Sequence, residues 1–393
     1  MAEFLHGVEV VQIDDGIRPI RTVRSSIIGL VGTAPLADAV AFPPDVPVLV
    51  SGPRAAAALG ATGTLRDAYD ALYAQGASVA IIVRVDEGVD EAGTIAKVIG
   101  DATALTGVHA LLTANTVVRQ TPRILCAPGF TGARSGVTAN AVTAALIPIA
   151  ERLRAVVIAD GPNATEAEAL AAATDFGSDR LYIVDPWPRV FDSDAAGVVV
   201  RPPSGFAAGA LARRDIEKGF WWSPSNQNLN LVVGVSRPVA FGLSDSQTEA
   251  NRLNEGNVAV IIHQNGYRLW GNRTTATDPL WAFLSVRRTA DMIYDSIERA
   301  HLWAMDRPQS AQLIVDIRDS VQAYLDELTG LGALLGGRVW FDPELNSPAV
   351  LQSGRVYLDF DIEPPAPLER LTFRAHRNGD YYETLALEVA ATN

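Results

Sequence analysis

The sequence has few of the residues that bind metal ions or form covalent cross-links. Its 393 residues include one cysteine, Cys126, and five histidines. A single cysteine forms no intrachain disulfide and no cysteine-based metal site, and within the apolar run "RILCAPGF" we expect it to be buried. No two histidines stand at a metal-ligand spacing such as H-x-x-x-H. We therefore expect neither a disulfide nor a metal centre.

An excess of positive charge and long apolar runs are also missing. The 32 Lys and Arg residues against 45 Asp and Glu residues give a net charge of −13. Binding duplex nucleic acid requires a basic surface, so this charge argues against such a partner, although it does not exclude a local basic face. No stretch approaches the ~20 apolar residues of a membrane helix. The first residues, "MAEFLHGVEVVQIDDG", lack the pattern of a signal peptide. We expect synthesis and folding in a reducing cytoplasm, with no membrane insertion.

What is present is the composition of a large globular protein. Hydrophobic residues make up 48% and charged residues 20%, and the length allows two or three domains. In the first half of the chain, apolar runs such as "SVAIIVRV" and "RLYIVDP" alternate with helical patterns such as Thr64–Gly76 and Ala139–Arg154. Strands that alternate with helices predict an open parallel sheet covered on both faces. The predicted fold class is α/β.

The segment "NGYRLWGNRTT", residues 265–275, has the pattern of a joint. Asn265-Gly266 between two apolar runs predicts a hairpin with a two-residue turn and positive φ at both positions. On the return strand, Leu269 and Trp270 should face opposite sides of the sheet. Gly271 follows directly and leaves room for close backbone approach.

The remaining segments predict a second unit and two arms. Two amphipathic helices, Arg287–Met305 and Ser310–Gly332, precede two strands in "GRVWFDP" and "GRVYLDFDI". The last segment alternates again after the prolines of "EPPAP". It resembles the first segment, Gly7–Ser26, in its strand pattern and its separation from the core by proline. Both patterns are typical of edge strands or extended arms.

The sequence contains no catalytic motif that the α/β fold would support. There is no G-x-G-x-x-G after the first strand, no G-x-S-x-G elbow and no P-loop lysine. We therefore predict no catalytic residue and no cofactor. Six of the seven tryptophans lie in the second half, where they suit either core packing or a protein–protein surface.

The ordered series of these segments resembles the contractile-tail sheath proteins of bacteriophages and R-type bacteriocins. "GVEVVQIDDGIRPIRTVRSSIIGLVGTAP" is similar to the family's N-terminal arm and first strand, and "GASVAIIVRV" to its next strand. "NGYRLWGNRT" and "LSVRRTADMIYDSIE" resemble its Trp-Gly segment and the start of its long helix. "GALLGGRVWFDPELNSP" and "SGRVYLDFDIEPPAPLERLTF" resemble its closing strands.

The resemblance implies an α/β domain with a subtilisin-like topology but no protease triad, followed by an α+β domain that faces the tail tube. The expected divisions are an N-terminal arm (1–25), the α/β domain (26–262), the C-terminal domain (263–365) and a C-terminal arm (366–393). In this family both arms add strands to the C-terminal domains of neighbouring subunits.

The implied function is structural. Copies would form hexameric rings stacked around the inner tail tube, and contraction would drive the tube through the target cell envelope, as in viral genome ejection. The implied partners are the chain itself, the tube protein, and the baseplate and tail terminator proteins. The location would be a virion tail or bacteriocin particle, assembled in the bacterial host cytoplasm. The alternative is a degenerate α/β hydrolase or subtilisin-like enzyme.

Three groups of candidate residues follow. Those expected in inter-subunit arm strands are Val8, Val10, Gln12, Leu371, Phe373 and Tyr382. Those expected to face the tube are Arg287, Arg288, Arg299, Arg307 and Arg318. The alternative for these arginines is a solvated face paired with Asp291, Asp295 and Glu298. Those expected at the domain joint are Trp270, Gly271 and Arg273. Trp270 should pack between the α/β domain and the first C-terminal helix, and Arg273 should bind a carboxylate or carbonyls through its planar fork.

Overall fold

The structure, a computed structural model, describes residues 19–134, 136, 138–193 and 195–392. Three of the predicted arm-strand residues, Val8, Val10 and Gln12, lie outside the described residues. The strands are β1 (Ile28–Thr33), β2 (Pro47–Val50), β3 (Ala80–Val85), β4 (Ile124–Cys126), β5 (Val156–Asp160), β6 (Leu181–Val184), β7 (Pro188–Asp192), β8 (Gly197–Val200), β9 (Gln227–Asn228), β10 (Val232–Val235), β11 (Val258–His263), β12 (Tyr267–Trp270), β13 (Gly336–Trp340) and β14 (Asp359–Glu363).

The helices include the two long C-terminal ones that were predicted. They are α1 (Pro53–Ala56), α2 (Thr64–Ala74), α3 (Glu91–Ile99), α4 (Ala114–Val118), α5 (Ala141–Leu153), α6 (Glu166–Thr174), α7 (Pro203–Glu217), α8 (Glu249–Glu255), α9 (Leu284–Ala300), α10 (Ala311–Gly330), α11 (Pro348–Gln352) and α12 (Tyr381–Ala390). No helix within the described ranges is both long and apolar enough to cross a membrane.

A nine-stranded sheet organises the first two thirds of the chain. Its strand order is β2-β3-β1-β4-β5-β6-β11-β12-β9. Neighbours from β3 to β11 are parallel, whereas β2, β12 and β9 pair antiparallel at the two ends. The predicted α/β class with a parallel-rich sheet is confirmed. Strands β10, β7 and β8 form a separate antiparallel sheet.

Both faces of the large sheet are covered, which explains the continuous apolar runs of its strands. Leu30 lies in a core with α2 and α7, and its neighbour Val31 lies in a second core with α5 and α8. Helices α2 and α7 approach closely because Gly209 has no side chain. A Cβ at that position would lie 2.8 Å from the Cα of Leu72.

The second unit consists of α9, α10 and the antiparallel pair β13–β14. Its core contains Ile293 from α9, Leu325 from α10 and Val339 from β13. Ile20, at the start of the described chain, is 5% exposed and belongs to the same core. The N-terminal segment is therefore tied to this unit from residue 20 onward.

Two local predictions differ from the structure. The β11–β12 hairpin has a three-residue connection, because His263 pairs with Tyr267, although Asn265 (φ 53°) and Gly266 (φ 98°) both have the predicted positive φ. In the C-terminal arm, residues 381–390 form helix α12 where an alternating strand was predicted. A strand without a neighbour leaves its backbone groups unpaired, whereas a helix satisfies most of its own.

Candidate functional site

Three arginines stand at the amino ends of three adjacent strands of the large sheet. Arg123 directly precedes β4, Arg180 directly precedes β6, and Arg154 lies two residues ahead of β5. Because β4, β5 and β6 are parallel neighbours, their amino ends lie side by side along the same end of the strands. The guanidinium groups form a row there that faces α9.

Helix α9 meets this row with carboxylates. Arg180 donates to both oxygens of Asp291 at 2.5 and 2.9 Å. Asp295, one helical turn later, accepts from Arg123 and lies 3.6 Å from Arg154. Arg154 also contacts Glu298 at 2.5 Å. We call these six residues the arginine–acid ladder. It joins the α/β domain to the helical unit along one side of α9.

Most of the ladder is removed from water. Arg123, Arg180, Asp291 and Asp295 are each buried. Burial lowers the pKa of the Arg123 guanidinium, and its interaction with Asp295 acts in the opposite sense. Buried charges carry a large desolvation cost, so each member depends on its partner being present. The ladder therefore fixes the relative position of the two units.

Arg287 and Arg288, which were predicted to face the tube, are both buried in this structure. Arg287 pairs with Asp291 at 2.9 Å, and its guanidinium carbon lies 4.2 Å from the centroid of the Trp281 ring. Arg288 is 2% exposed and pairs with Asp215 of α7 at 2.5 Å. The physical reason is that the α/β domain covers the first half of α9.

The other three predicted arginines are accessible. Arg299 has a half-exposed side chain that lies 3.0 Å from Asp295. Arg307 is exposed, with its guanidinium carbon 4.9 Å from the centroid of the Trp303 ring. The partly exposed Arg318 donates to Asp319 at 2.7 Å. These three remain candidates for a partner surface.

Trp270 is half-buried, and its neighbours differ from those predicted. Its ring meets the ring of Phe241 edge to face, with 5.2 Å between centroids, and packs on the core that contains α5 and α8. The sequence predicted a position between the α/β domain and α9. Leu269 points to the opposite face, into the core with α2 and α7. Trp270 therefore stabilises the sheet domain itself.

Gly271 is held by three parts of the sheet domain. Its carbonyl accepts from the Tyr182 hydroxyl at 2.8 Å, and its amide donates to Ser225 Oγ at 3.0 Å. With φ of 144°, a Cβ at Gly271 would lie 2.8 Å from the Cα of Ala259. A larger residue there would strain the chain where it leaves the sheet.

Arg273 connects the joint to the C-terminal arm. Its Nε and Nη2 donate to the carboxylate of Glu369, with the Nη2 bond at 2.8 Å. This hydrogen bonding raises the pKa of the Arg273 guanidinium. The guanidinium carbon also lies 5.1 Å from the Phe283 ring centroid. Glu369 is thus an anchor between residue 273 and the last segment of the chain.

Beyond this anchor, the C-terminal arm exposes apolar side chains. Of the predicted arm-strand residues, Leu371 and Phe373 lie in irregular chain, whereas Tyr382 lies in α12. Phe373 is 86% exposed, and Leu371 and Tyr382 are also exposed. These exposed apolar side chains make the segment a candidate interaction surface.

The buried Asp160 carboxyl of the α/β domain is occupied by structural hydrogen bonds. Asp160 accepts from the amides of Gly129 (2.8 Å) and Ser204 (2.9 Å) and from the Thr131 hydroxyl. Burial raises the pKa of this carboxyl. Burial also raises the pKa of the Cys126 thiol, which opposes formation of a nucleophilic thiolate. Among the described residues, no cluster of three or more His, Cys, Asp or Glu could hold a metal ion.

Two protein-family models together match most of the chain. The model for the phage tail sheath protein central domain matches residues 103–275, and that for the phage tail sheath C-terminal domain matches residues 276–377. A prophage protein of Pseudomonas aeruginosa (strain UCBPP-PA14), named as a major tail sheath protein, is 38% identical over 98% of this chain and 100% of its own length. The tail sheath protein of Escherichia phage P2 is 34% identical over 99% of each chain.

Solved structures share the fold at lower sequence identity. The helical sheath of the anti-feeding prophage in its contracted state matches 96% of this chain and 100% of its own, with a TM-score of 0.70 and 20% identity. The sheath complex of an extracellular contractile injection system, also contracted, matches 97% of this chain and 99% of its own. Its TM-score is 0.69, at 16% identity.

Proposed function

The chain belongs to the phage tail sheath protein family, and we propose that its copies polymerise as hexameric rings stacked around an inner tail tube. It is a structural subunit of a contractile sheath and not an enzyme. The observation that carries this function is sequence similarity to tail sheath proteins along the whole chain. The alternative, a degenerate hydrolase, has no support from the relatives.

Contraction has two requirements. The domains of each subunit must move together as one rigid body, and the connections between subunits must persist during the movement. The energy would be the difference between two packings of the same subunits, with no nucleotide hydrolysed. The arginine–acid ladder supplies the first requirement, because it locks α9 to the sheet domain through buried charge pairs. The segment after Glu369 suits the second, because it lies outside the core and exposes its apolar side chains.

The arms are the proposed connections between subunits. In the described chain, β13 and β14 pair only with each other, so each has an open edge to which a strand can be added. We propose that Leu371, Phe373 and Tyr382 of one copy join such an edge on another. This requires α12 to unfold or to be displaced. Val8, Val10 and Gln12 of the N-terminal arm are proposed to act in the same way.

The proposed domain division keeps the arms at 1–25 and 366–393. The boundary expected from the sequence, between residues 262 and 263, would divide the β11–β12 hairpin, whose second strand pairs with β9 of the large sheet. We therefore propose that the α/β domain extends to Thr275. The parallel order β3-β1-β4-β5-β6-β11 supports a subtilisin-like topology for it.

Arg299, Arg307 and Arg318 are the proposed tube-facing residues. Exposed ion pairs contribute ~0–1 kcal/mol each, so several of them would hold a tube loosely and release it on contraction. The ends of the sheath would bind the baseplate and tail terminator proteins. The proposed location is a virion tail or bacteriocin particle, assembled in the bacterial host cytoplasm.

Electron microscopy of the purified chain, alone and with its tube protein, tests this function. We expect hollow tubes whose length follows the tube protein when it is present. In parallel, generic peptide and ester substrates should not be turned over. Monomers under all conditions, together with substrate turnover, would favour the enzyme alternative instead.

A further inference from the structure

A basic cleft lies beside the β9 edge of the large sheet. It has a volume of about 300 Å³ and is lined by Arg213 and Arg214 of α7 and by Arg268 of β12. Glu217 also lines it, with three amide side chains from residues 226–228. Three arginines in one cleft stand out on a chain whose net charge is −13.

The positive charge of the cleft is available to a ligand. Arg213 donates to the Asn228 carbonyl at 2.7 Å, and Arg268 donates to the Gln264 carbonyl at 2.8 Å, so both guanidinium groups meet neutral partners. The Nε of Arg214 is buried and has no hydrogen-bond partner among the described residues. Burial lowers the pKa of the Arg214 guanidinium, and the neighbouring Glu217 carboxylate acts in the opposite sense. A carboxylate placed in the cleft would offset this cost.

An exposed tryptophan lies next to the cleft. Trp222 is 46% exposed, and its ring centroid is 5.8 Å from the Arg214 guanidinium carbon and 6.0 Å from Lys218 Nζ. Tryptophan and arginine together are the composition of protein–protein hot spots, with an apolar centre and a charged rim. This composition favours a protein partner over a free small anion.

A surface of opposite charge lies near the other edge of the same sheet. The segment "DEGVDE", residues 86–91, which we call the acidic loop, follows β3, the second strand from the β2 edge, and ends at the first residue of α3. It has four carboxylates in six residues. Asp86 pairs with Arg84, and Asp90 caps α3. The side chains of Glu87 and Glu91 are exposed, and Val89 between them is fully exposed. This acidic loop also has an apolar centre and a charged rim.

We propose that the acidic loop of one copy docks into the basic cleft of another, with Val89 against Trp222 and with Glu87 and Glu91 facing Arg214 and Lys218. The proposal rests on the self-assembly proposed above and identifies a contact within it. The two surfaces lie toward opposite edges of one sheet, so the contact is heterologous. Heterologous contacts repeat into rings or helices, as a sheath requires.

Charge exchange tests the pairing. We expect Arg214→Glu with Lys218→Glu to raise the subunit concentration needed for polymerisation by about tenfold, since two charge pairs between subunits are lost. Glu87→Lys with Glu91→Lys should have the same effect. Combining all four substitutions should restore assembly, because each surface again meets its opposite charge. The matched control is Arg355→Glu, at an exposed site in the second unit, which should leave assembly unchanged.

The four-substitution variant is the decisive test, provided that its melting temperature matches that of the unmodified chain. Assembly as poor as in either double variant would overturn the proposed pairing.

If the charge-reversal variants fail to fold, a cross-linking measurement tests the same contact. Val89→Cys and Lys218→Cys chains are mixed and treated with a short bismaleimide, and Cys126 is buried and should not react. A dimer cross-linked between residues 89 and 218 is expected. Sheaths without this cross-link would overturn the inference but not the proposed function. Failure of the unmodified chain to polymerise would contradict both.

Discussion

Arg180 and Asp291 form a two-bond ion pair between the last residue before strand β6 and the middle of helix α9. The donor–acceptor distances are 2.5 and 2.9 Å, and both residues are buried. The pair crosses from the α/β domain to the helical unit. The attachment of the two units can therefore be tested in the isolated subunit by substituting one member of this pair.

Replacing Asp291 with Asn should destabilise the folded subunit by about 3–5 kcal/mol, because Arg180 and Arg287 would lose a buried countercharge. Urea denaturation of the monomer measures the loss. The control is Asp70→Asn, which removes the exposed pair with Arg66 and should cost about 0–1 kcal/mol. Equal losses for the two variants would mean that the ladder does not lock the units together.

The second prediction separates accessible arginines from buried ones. Arg299→Ala should lower the melting temperature of the monomer only slightly, because Asp295 keeps Arg123 and Arg154 as partners, and should weaken co-assembly with the tube protein. Arg288→Glu should instead lower the melting temperature strongly, because it would place a second carboxylate beside the buried Asp215. Thermal melts and a pull-down with the tube protein measure both effects. Unchanged co-assembly of the Arg299 variant would remove Arg299 from the tube surface.

The third prediction concerns Trp270. Its replacement by alanine should cost about 3 kcal/mol, the lower end for a large aromatic residue, because the ring packs on Phe241 but is only half-buried. The monomer should therefore melt at a lower temperature. Trp222→Ala, at an exposed ring, is the matched control and should melt nearly as the unmodified chain does. If Trp270→Ala melts normally but fails to polymerise, Trp270 belongs to a subunit contact instead.

Whether a prediction is correct depends on how far apart in sequence the interacting residues lie. The alternation of Leu269 and Trp270 and the positive φ of Asn265 depend on neighbours in sequence, so local patterns revealed them. Helical spacing identified the apolar face of α9 but not the face that the α/β domain covers, which is why Arg287 and Arg288 were placed at the surface.

The ladder and the Glu369 anchor were missed for the same reason. Both depend on residues far apart in sequence, such as Arg123 with Asp295 and Arg273 with Glu369. One local signal was available for the ladder, since Arg123 and Arg180 each stand directly before a buried strand. The sequence could not indicate which helix would bring the matching carboxylates.

The fourth prediction concerns the N-terminal arm. Deleting residues 1–18 should give a folded subunit that no longer polymerises, because the proposed inter-subunit strand is lost while Ile20 remains in its core. Circular dichroism and electron microscopy measure folding and assembly. A deletion that also removes Ile20 is a useful comparison and should lower the melting temperature. Sheaths of normal length from the 1–18 deletion would rule out the role proposed for this arm.

Helical reconstruction of sheaths assembled by the purified chain tests the central claim most directly. The account predicts six subunits per ring. It also predicts that the α/β domain and the helical unit fit the density as one body, with the Arg180–Asp291 pair intact and residues 370–392 paired with a neighbouring subunit. Density in which this segment folds back on its own subunit, or in which α9 has separated from the sheet domain, would contradict it.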